Sequence, residues 1–228
     1  MKDTIKQMAH RHTDVGFTLI EMIGVLAVIA ILVALLLPKV FEIIADSKTR
    51  TLVSAVKTYK TAIVDYYADV GSILPLDAGG TPTTQNSGDS ADVESLGARL
   101  TLEKADPLNT GTNSWVKFRG PYLANFSTEV PPGIGADVFM PARDPVAYGT
   151  ATTATNRGYD FNDDGNSDIP TDAYVVFLRF RSVGQKDFER VDNILDAGIG
   201  STDVERQLRG QVKYDTATNR MRIYLTHQ

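Results

Sequence analysis

The sequence predicts an α+β protein in which one long N-terminal helix packs on a small antiparallel β-sheet. Three observations predict it. An apolar run from Phe17 to Leu37 continues into an amphipathic stretch that meets no glycine until Gly71. Strand-like segments with alternating apolar residues appear only after Trp115. The last two of them face each other across a short polar turn, as a closing hairpin does.

The bulk numbers bound the possibilities. The chain has 228 residues, 43% apolar and 22% charged, which suffices for one ordinary domain with an appendage and is too apolar for disorder throughout. A net charge of −5 argues against a general nucleic-acid binder, which would carry a basic face, so no nucleic acid is expected as a partner. Cysteine is absent, and with it disulfides, thiolate nucleophiles and cysteine-ligated metal sites.

The first element is the apolar run, whose only charged residue is Glu21. As a helix it would be roughly 30 Å long, the hydrocarbon thickness of a bilayer. Ahead of it, Lys2, Lys6 and Arg11 outnumber Asp3 and Asp14, a bias that favours a cytoplasmic N-terminus. The run ends Leu35-Leu36-Leu37-Pro38-Lys39, a poor site for signal-peptide cleavage, so the segment is expected to stay as an anchor. A carboxylate at a bilayer centre costs about 2–3 kcal/mol, and less toward the edge. Glu21 is then either a snorkelling residue near the helix end or a carboxylate awaiting a cation from another chain.

From Lys39 to Val70 the helix changes character. Leu52, Val56, Tyr59, Ile63, Tyr66 and Val70 recur at spacings of four and three and draw one apolar stripe, either a coiled-coil seam or, as expected here, a face that packs on a sheet. Gly71 to Ser114 is rich in small polar residues and reads as surface loop, with a short helix around Asp92 to Leu100 that places Val93, Leu96 and Leu100 on one face. Ala173 to Arg181 is the best strand, with Tyr174, Val176, Leu178 and Phe180 on one side. Gln211–Tyr214 and Arg220–Thr226 form the hairpin, with Met221, Ile223 and Leu225 pointing inward.

Just ahead of the first of these strands lies an acidic segment. Asp160, Asn162 and Asp164 stand at alternate positions before Gly165, the opening of a calcium loop. The carbonyl of Asn166 and the side chain of Asp168 would extend the oxygen set, and Asp172 would stand in for the glutamate usual at the twelfth position, where Thr171 sits. The alternative is a solvated Asn/Asp turn that binds nothing. The second acidic stretch, Asp187 to Asp203, reads as surface helix and loop. An enzyme is not expected: His10 and His12 precede the apolar run, His227 is penultimate, and no nucleophile has a base in view.

Gly16-Phe17-Thr18-Leu19-Ile20-Glu21 resembles the processing motif of type IV pilins and type II secretion pseudopilins, and Pro38 falls where many of them carry a helix-bending proline. Farther on, Trp115, Gly120-Pro121-Tyr122-Leu123, Asp144-Pro145 and Tyr159-Asp160 resemble the order of landmarks in the major pseudopilin. The resemblance implies a pilin-like fold with a leader (1–16), a transmembrane and filament-core helix (17–38), an amphipathic half-helix (39–70) and a periplasmic or extracellular domain (71–228). It implies cleavage between Gly16 and Phe17 by a prepilin peptidase and methylation of the new Phe17 amine. It further implies pairing of Glu21 with the Phe17 amine of a neighbouring subunit, an assembly role for Pro38, and calcium holding a C-terminal loop. The partners implied are other copies of the chain, minor pilin-like subunits, the peptidase, an inner-membrane assembly platform and membrane lipid. The expected function is a filament subunit of a pseudopilus or pilus. The competitors are a minor tip subunit whose enlarged loop region binds a surface, substrate or DNA, and a membrane-anchored calcium-binding module that never polymerises.

Overall fold

The computed structural model describes residues 16–83, 95–103, 113–126, 133–143 and 158–228. Most of the leader, Val93 and the Asp144-Pro145 landmark lie outside the described residues. The chain divides into two compact units, Met1–Ile44 and Ala45–Gln228. Helix α1 (Leu19–Val70) belongs to both.

In the first unit α1 carries almost nothing but aliphatic side chains, and they are exposed: Leu35 is 72% and Leu36 61% accessible. Pro38 sits inside the helix. Its ring removes one backbone hydrogen bond, which a helix bearing so many strong helix formers tolerates.

In the second unit the predicted stripe is the buried face. Leu52, Val56, Ile63, Tyr66 and Val70 are buried and Tyr59 packs against them, all in one core cluster with the sheet. Tyr66 donates its hydroxyl hydrogen to the Leu74 carbonyl at 2.8 Å, so the ring stays buried with its polar tip satisfied. The helix stops at Gly71, whose φ of +80° suits the residue that ends a helix, and its N–H reaches back to the Tyr67 carbonyl.

The stretch after Gly71 is less superficial than its composition predicts. Ile73, Leu74 and Leu76 are buried, and so are Leu96 and Leu100 of α2 (Leu96–Leu100), which Ser95 caps through the Ala98 N–H. Apolar residues scattered singly through a polar stretch carry no periodicity, so their burial is visible only in three dimensions. Trp115 sits in a short 3-10 turn (Asn113–Val116), fully buried, with its indole N–H on the Asp77 carbonyl at 2.8 Å.

The sheet is antiparallel throughout. Its strands are β1 (Asp137–Phe139), β2 (Ala142–Arg143), β3 (Val175–Arg181), β4 (Val212–Asp215) and β5 (Arg220–His227). The order is β1-β3-β5-β4, with β2 also on β3. β1 and β2 escape the sequence pattern because each is very short and Pro141 separates them. Val176, Leu178 and Phe180 of β3 join Met221, Ile223 and Leu225 of β5 in the main core, the faces the alternation predicts. The other face of β3 is also covered: Val175 and Phe177 pack with Tyr159, Ile169 and Ala173 in a second cluster. Two helices precede β4. In α3 (Gln185–Leu195), Phe188 and Val191 are buried and Phe188 stacks on Tyr214 at 4.8 Å; α4 (Asp203–Leu208) opens with a Thr202–Glu205 capping box.

Candidate functional site

Two stretches carry the residues singled out by sequence, one in each unit. At the N-terminal end, Gly16, Phe17 and Thr18 precede α1 in non-helical conformation, and Phe17 is 82% exposed. A Cβ added at Gly16 would meet nothing within 4 Å among the described residues.

Glu21 has a partner in its own chain. Its Oε2 accepts the Thr18 N–H at 2.8 Å and the Thr18 hydroxyl at 2.7 Å, while the Glu21 N–H donates to Thr18 Oγ1 at 3.3 Å. This is a capping box, two orphan amides of the helix start satisfied reciprocally. The Thr-x-x-Glu spacing announces it in the sequence, before an apolar run. From there α1 is long and apolar enough to cross a membrane, and none of its most apolar window is buried within the chain.

The acidic segment lies over the second face of the sheet. Asp160 is fully buried; its Oδ1 accepts the Asp164 N–H at 3.2 Å and its Oδ2 the Gly165 N–H at 2.8 Å. Asp168 Oδ2 accepts the amides of Phe161 and Asn162 at 2.6 and 3.2 Å. Asp164 Oδ1 accepts the Asn166 N–H at 2.8 Å, and Asn162 Oδ1 the Asp164 N–H at 3.0 Å. The turn runs through Asp163 at φ +64° and Gly165 at φ +87°, left-handed conformations that Asp tolerates and Gly favours. The loop is thus closed on its own amides.

Two oxygens remain, Asp164 Oδ2 and Asp168 Oδ1, and the Asn162 side-chain NH2 bridges them at 3.3 and 3.1 Å. That places a donor where a calcium ion would need a ligand oxygen. Among the described residues no three acidic or imidazole groups stand together closely enough to hold a metal ion, and no hydrogen bond joins the exposed Asp172 to the loop. Asp160, Asn162, Asp164 and Asp168 are therefore gathered in one hydrogen-bonded turn.

Beneath the loop runs a row of cations. Lys213 of β4 lies opposite Arg222 of β5, and Arg222 opposite Arg179 of β3; all three are buried. Like charges in direct register repel. Lys213, its ammonium 5.4 Å from the Tyr159 ring, has its pKa pushed down to about 7 by burial and further by Arg222, with Asp160 acting in the opposite sense. Asp160 is the loop carboxylate that acts on Lys213.

Sequence reasoning missed a third group, buried behind α3 and α4. Asp192 takes a two-pronged hydrogen bond from Arg206 at 2.9 and 2.7 Å, while burial holds its pKa up. Asp196 accepts the Gln211 and Val212 amides at 3.0 and 2.6 Å, and burial raises its pKa to about 6. The Asp-rich stretch reads as surface because acidic residues usually lie there; the i, i+4 spacing of Asp192 and Asp196 is the only hint that one helix face holds both.

Comparison of the chain with known protein families, with characterised proteins and with solved structures finds no match.

Proposed function

We propose that this protein is a filament subunit of the type IV pilin-like class, a pseudopilus or pilus component with no catalysis of its own. On this proposal the chain is cut between Gly16 and Phe17, methylated at Phe17, held in the inner membrane by residues 17–38 with its C-terminal domain outside, and then drawn into a filament. The observation that carries it is the aliphatic half of α1, exposed along its whole length with a single carboxylate at its start. Some 20 exposed aliphatic residues must be covered, by lipid before assembly and by the helices of other copies after it. Gly16 adds support: no close contact among the described residues calls for a glycine there, and on this proposal the requirement for one comes from a processing enzyme.

Glu21 fits the same proposal as a residue that changes partner. In the single chain its carboxylate is held by Thr18; in a filament it would also be offered the Phe17 amine of a neighbour, a charge pair strengthened by the apolar surroundings. Pro38 would take the assembly role that the resemblance implies, and calcium at Asp160–Asp168 would join an already closed loop.

The test is intact mass and N-terminal sequencing of protein recovered from its native membranes. The expected result is a chain that begins at Phe17 with one added methyl group. An N-terminus at Met1, or one after Leu37, overturns the proposal. Glu21→Ala then separates a shaft subunit from an anchored module: the shaft loses filaments while the protein stays in the membrane, and an anchored module is unaffected.

A further inference from the structure

Besides its packing on β3 and β5, the acidic loop meets one short stretch of chain that begins at Arg209 and runs on to Val212. Arg209, just beyond α4, directs its guanidinium at three carboxylates: Nη1 donates to Asp163 Oδ1 at 2.6 Å, Nη2 lies 3.2 Å from Glu205 Oε1, and Nε lies 3.8 Å from Asp160 Oδ2. Gly210 then donates its N–H to the Asp160 carbonyl at 2.6 Å. Gln211 and Val212 donate theirs to Asp196. Gly210 has φ +75°, and a Cβ there would collide with the Asp196 carboxylate, so only glycine lets the chain pass between loop and helix.

Charge makes this contact more than a tether. The loop places Asp160, Asp163, Asp164 and Asp168 within nine residues, and carboxylates so close repel unless a cation lies among them. Arg209 follows α4 and reaches Asp163, while the Asn162 amide bridges Asp164 and Asp168. A planar guanidinium with several donors suits a site where more than one carboxylate must be held at once.

We propose that Arg209 is the resident cation of this loop: its guanidinium holds Asp160 and Asp163 in place, so the loop keeps its fold without a metal ion and calcium is an addition to it, not a condition for it. The inference stands independently of the filament proposal. Hydrogen exchange on the intact protein in detergent tests it, comparing the amides of Phe161, Asp164 and Gly165 in EDTA and in calcium. In the unaltered protein these amides are expected to stay protected in EDTA, within about threefold of their rates in calcium. In Arg209→Gln they are expected to exchange about tenfold faster or more in EDTA, with the amides around Leu52 and Ile63 unchanged. Two results overturn the proposal: loss of protection in the unaltered protein when calcium is removed, or Arg209→Gln protection equal to that of the unaltered protein in EDTA. Should Arg209→Gln fail to fold, Asp163→Asn removes the partly exposed end of the same contact, and unchanged exchange in that variant is equally fatal.

Discussion

One helix has two halves of opposite exposure. In its first half Leu26 is 60% exposed; in its second half Ile63 is 1% exposed, although both are aliphatic residues in regular α-helix. The difference is in what surrounds them. Residues 45–70 alternate large apolar with hydroxyl and charged residues, so a face exists that can turn inward and another that can meet water. Residues 19–37 have no wet face, and a helix that is apolar all round must be enclosed by something other than its own chain. Helical propensity makes α1 continuous; patterning decides where it is self-sufficient.

The sharpest way to break this comparison is to cut it. A chain beginning at Ala45 is expected to move entirely from the membrane pellet to the supernatant with its near-ultraviolet circular dichroism intact. Retention in the pellet, or loss of that signal, would show that the first unit does more than anchor. Next in size come matched truncations in the two halves. Ile63→Ala is expected to destabilise the domain by about 2–5 kcal/mol in denaturant titrations, by lost burial and a residual cavity. Leu26→Ala is expected to change it by less than about 0.5 kcal/mol, since it deletes no contact of the core. Equal effects would mean that the halves do not differ as described.

A pH dependence follows from Asp196. Its pKa is raised from the ordinary carboxylate value to about 6 in the folded state, so folding takes up a proton. This contribution to stability is complete at about pH 4 and below, shrinks as pH rises through 6, and is gone above it, on the order of 2 kcal/mol across the window. Burial drives the rise; the Gln211 and Val212 amides oppose part of it, and the neighbouring Asp192 adds to it. Asp196→Asn is expected to flatten this part of the profile while keeping an oxygen for the Gln211 or Val212 amide; a slope unchanged between pH 4 and 7 would assign it elsewhere. The most local effect is at the start of α1. Thr18→Ala removes the capping box and is expected to cost about 1 kcal/mol locally, seen as faster amide exchange over residues 19–22 with the melting of the domain unmoved.

Most of what periodicity can carry was legible in the sequence. The Leu52-to-Val70 stripe, the inward residues of β5 and one face of β3 all lie where spacing puts them. What spacing cannot carry is a second layer. β3 reads VVFLRFR, an almost continuous run that suits a strand covered on both faces better than one with a wet side, yet the cover comes from Tyr159, Ile169 and Ala173, whose own segment looks polar. The same limit hid the buried charges. Lys213, Asp192 and Asp196 have the residue types of a surface, and only the fold brings Asp160 toward the first, Arg206 to the second and two backbone amides to the third. The acidic loop was legible as a turn at the right residues, because Asp, Asn and Gly dictate local backbone geometry. Its anchor at Arg209, some forty residues on, was not, since long-range pairs leave no mark on a single sequence.

The chain contains one tryptophan, Trp115, and it lies in the core of the second unit with the Arg99 guanidinium 5.7 Å from its ring. Its emission is therefore a native optical probe with a single address. Unlabelled protein excited at the red edge of the indole absorption band, where tyrosine does not absorb, reports unfolding of the Ala45–Gln228 unit and is blind to whatever surrounds residues 17–44. Moving the protein from detergent to lipid to an assembled state should leave the wavelength of that emission fixed, which makes a shift in it a direct alarm that the domain itself has opened.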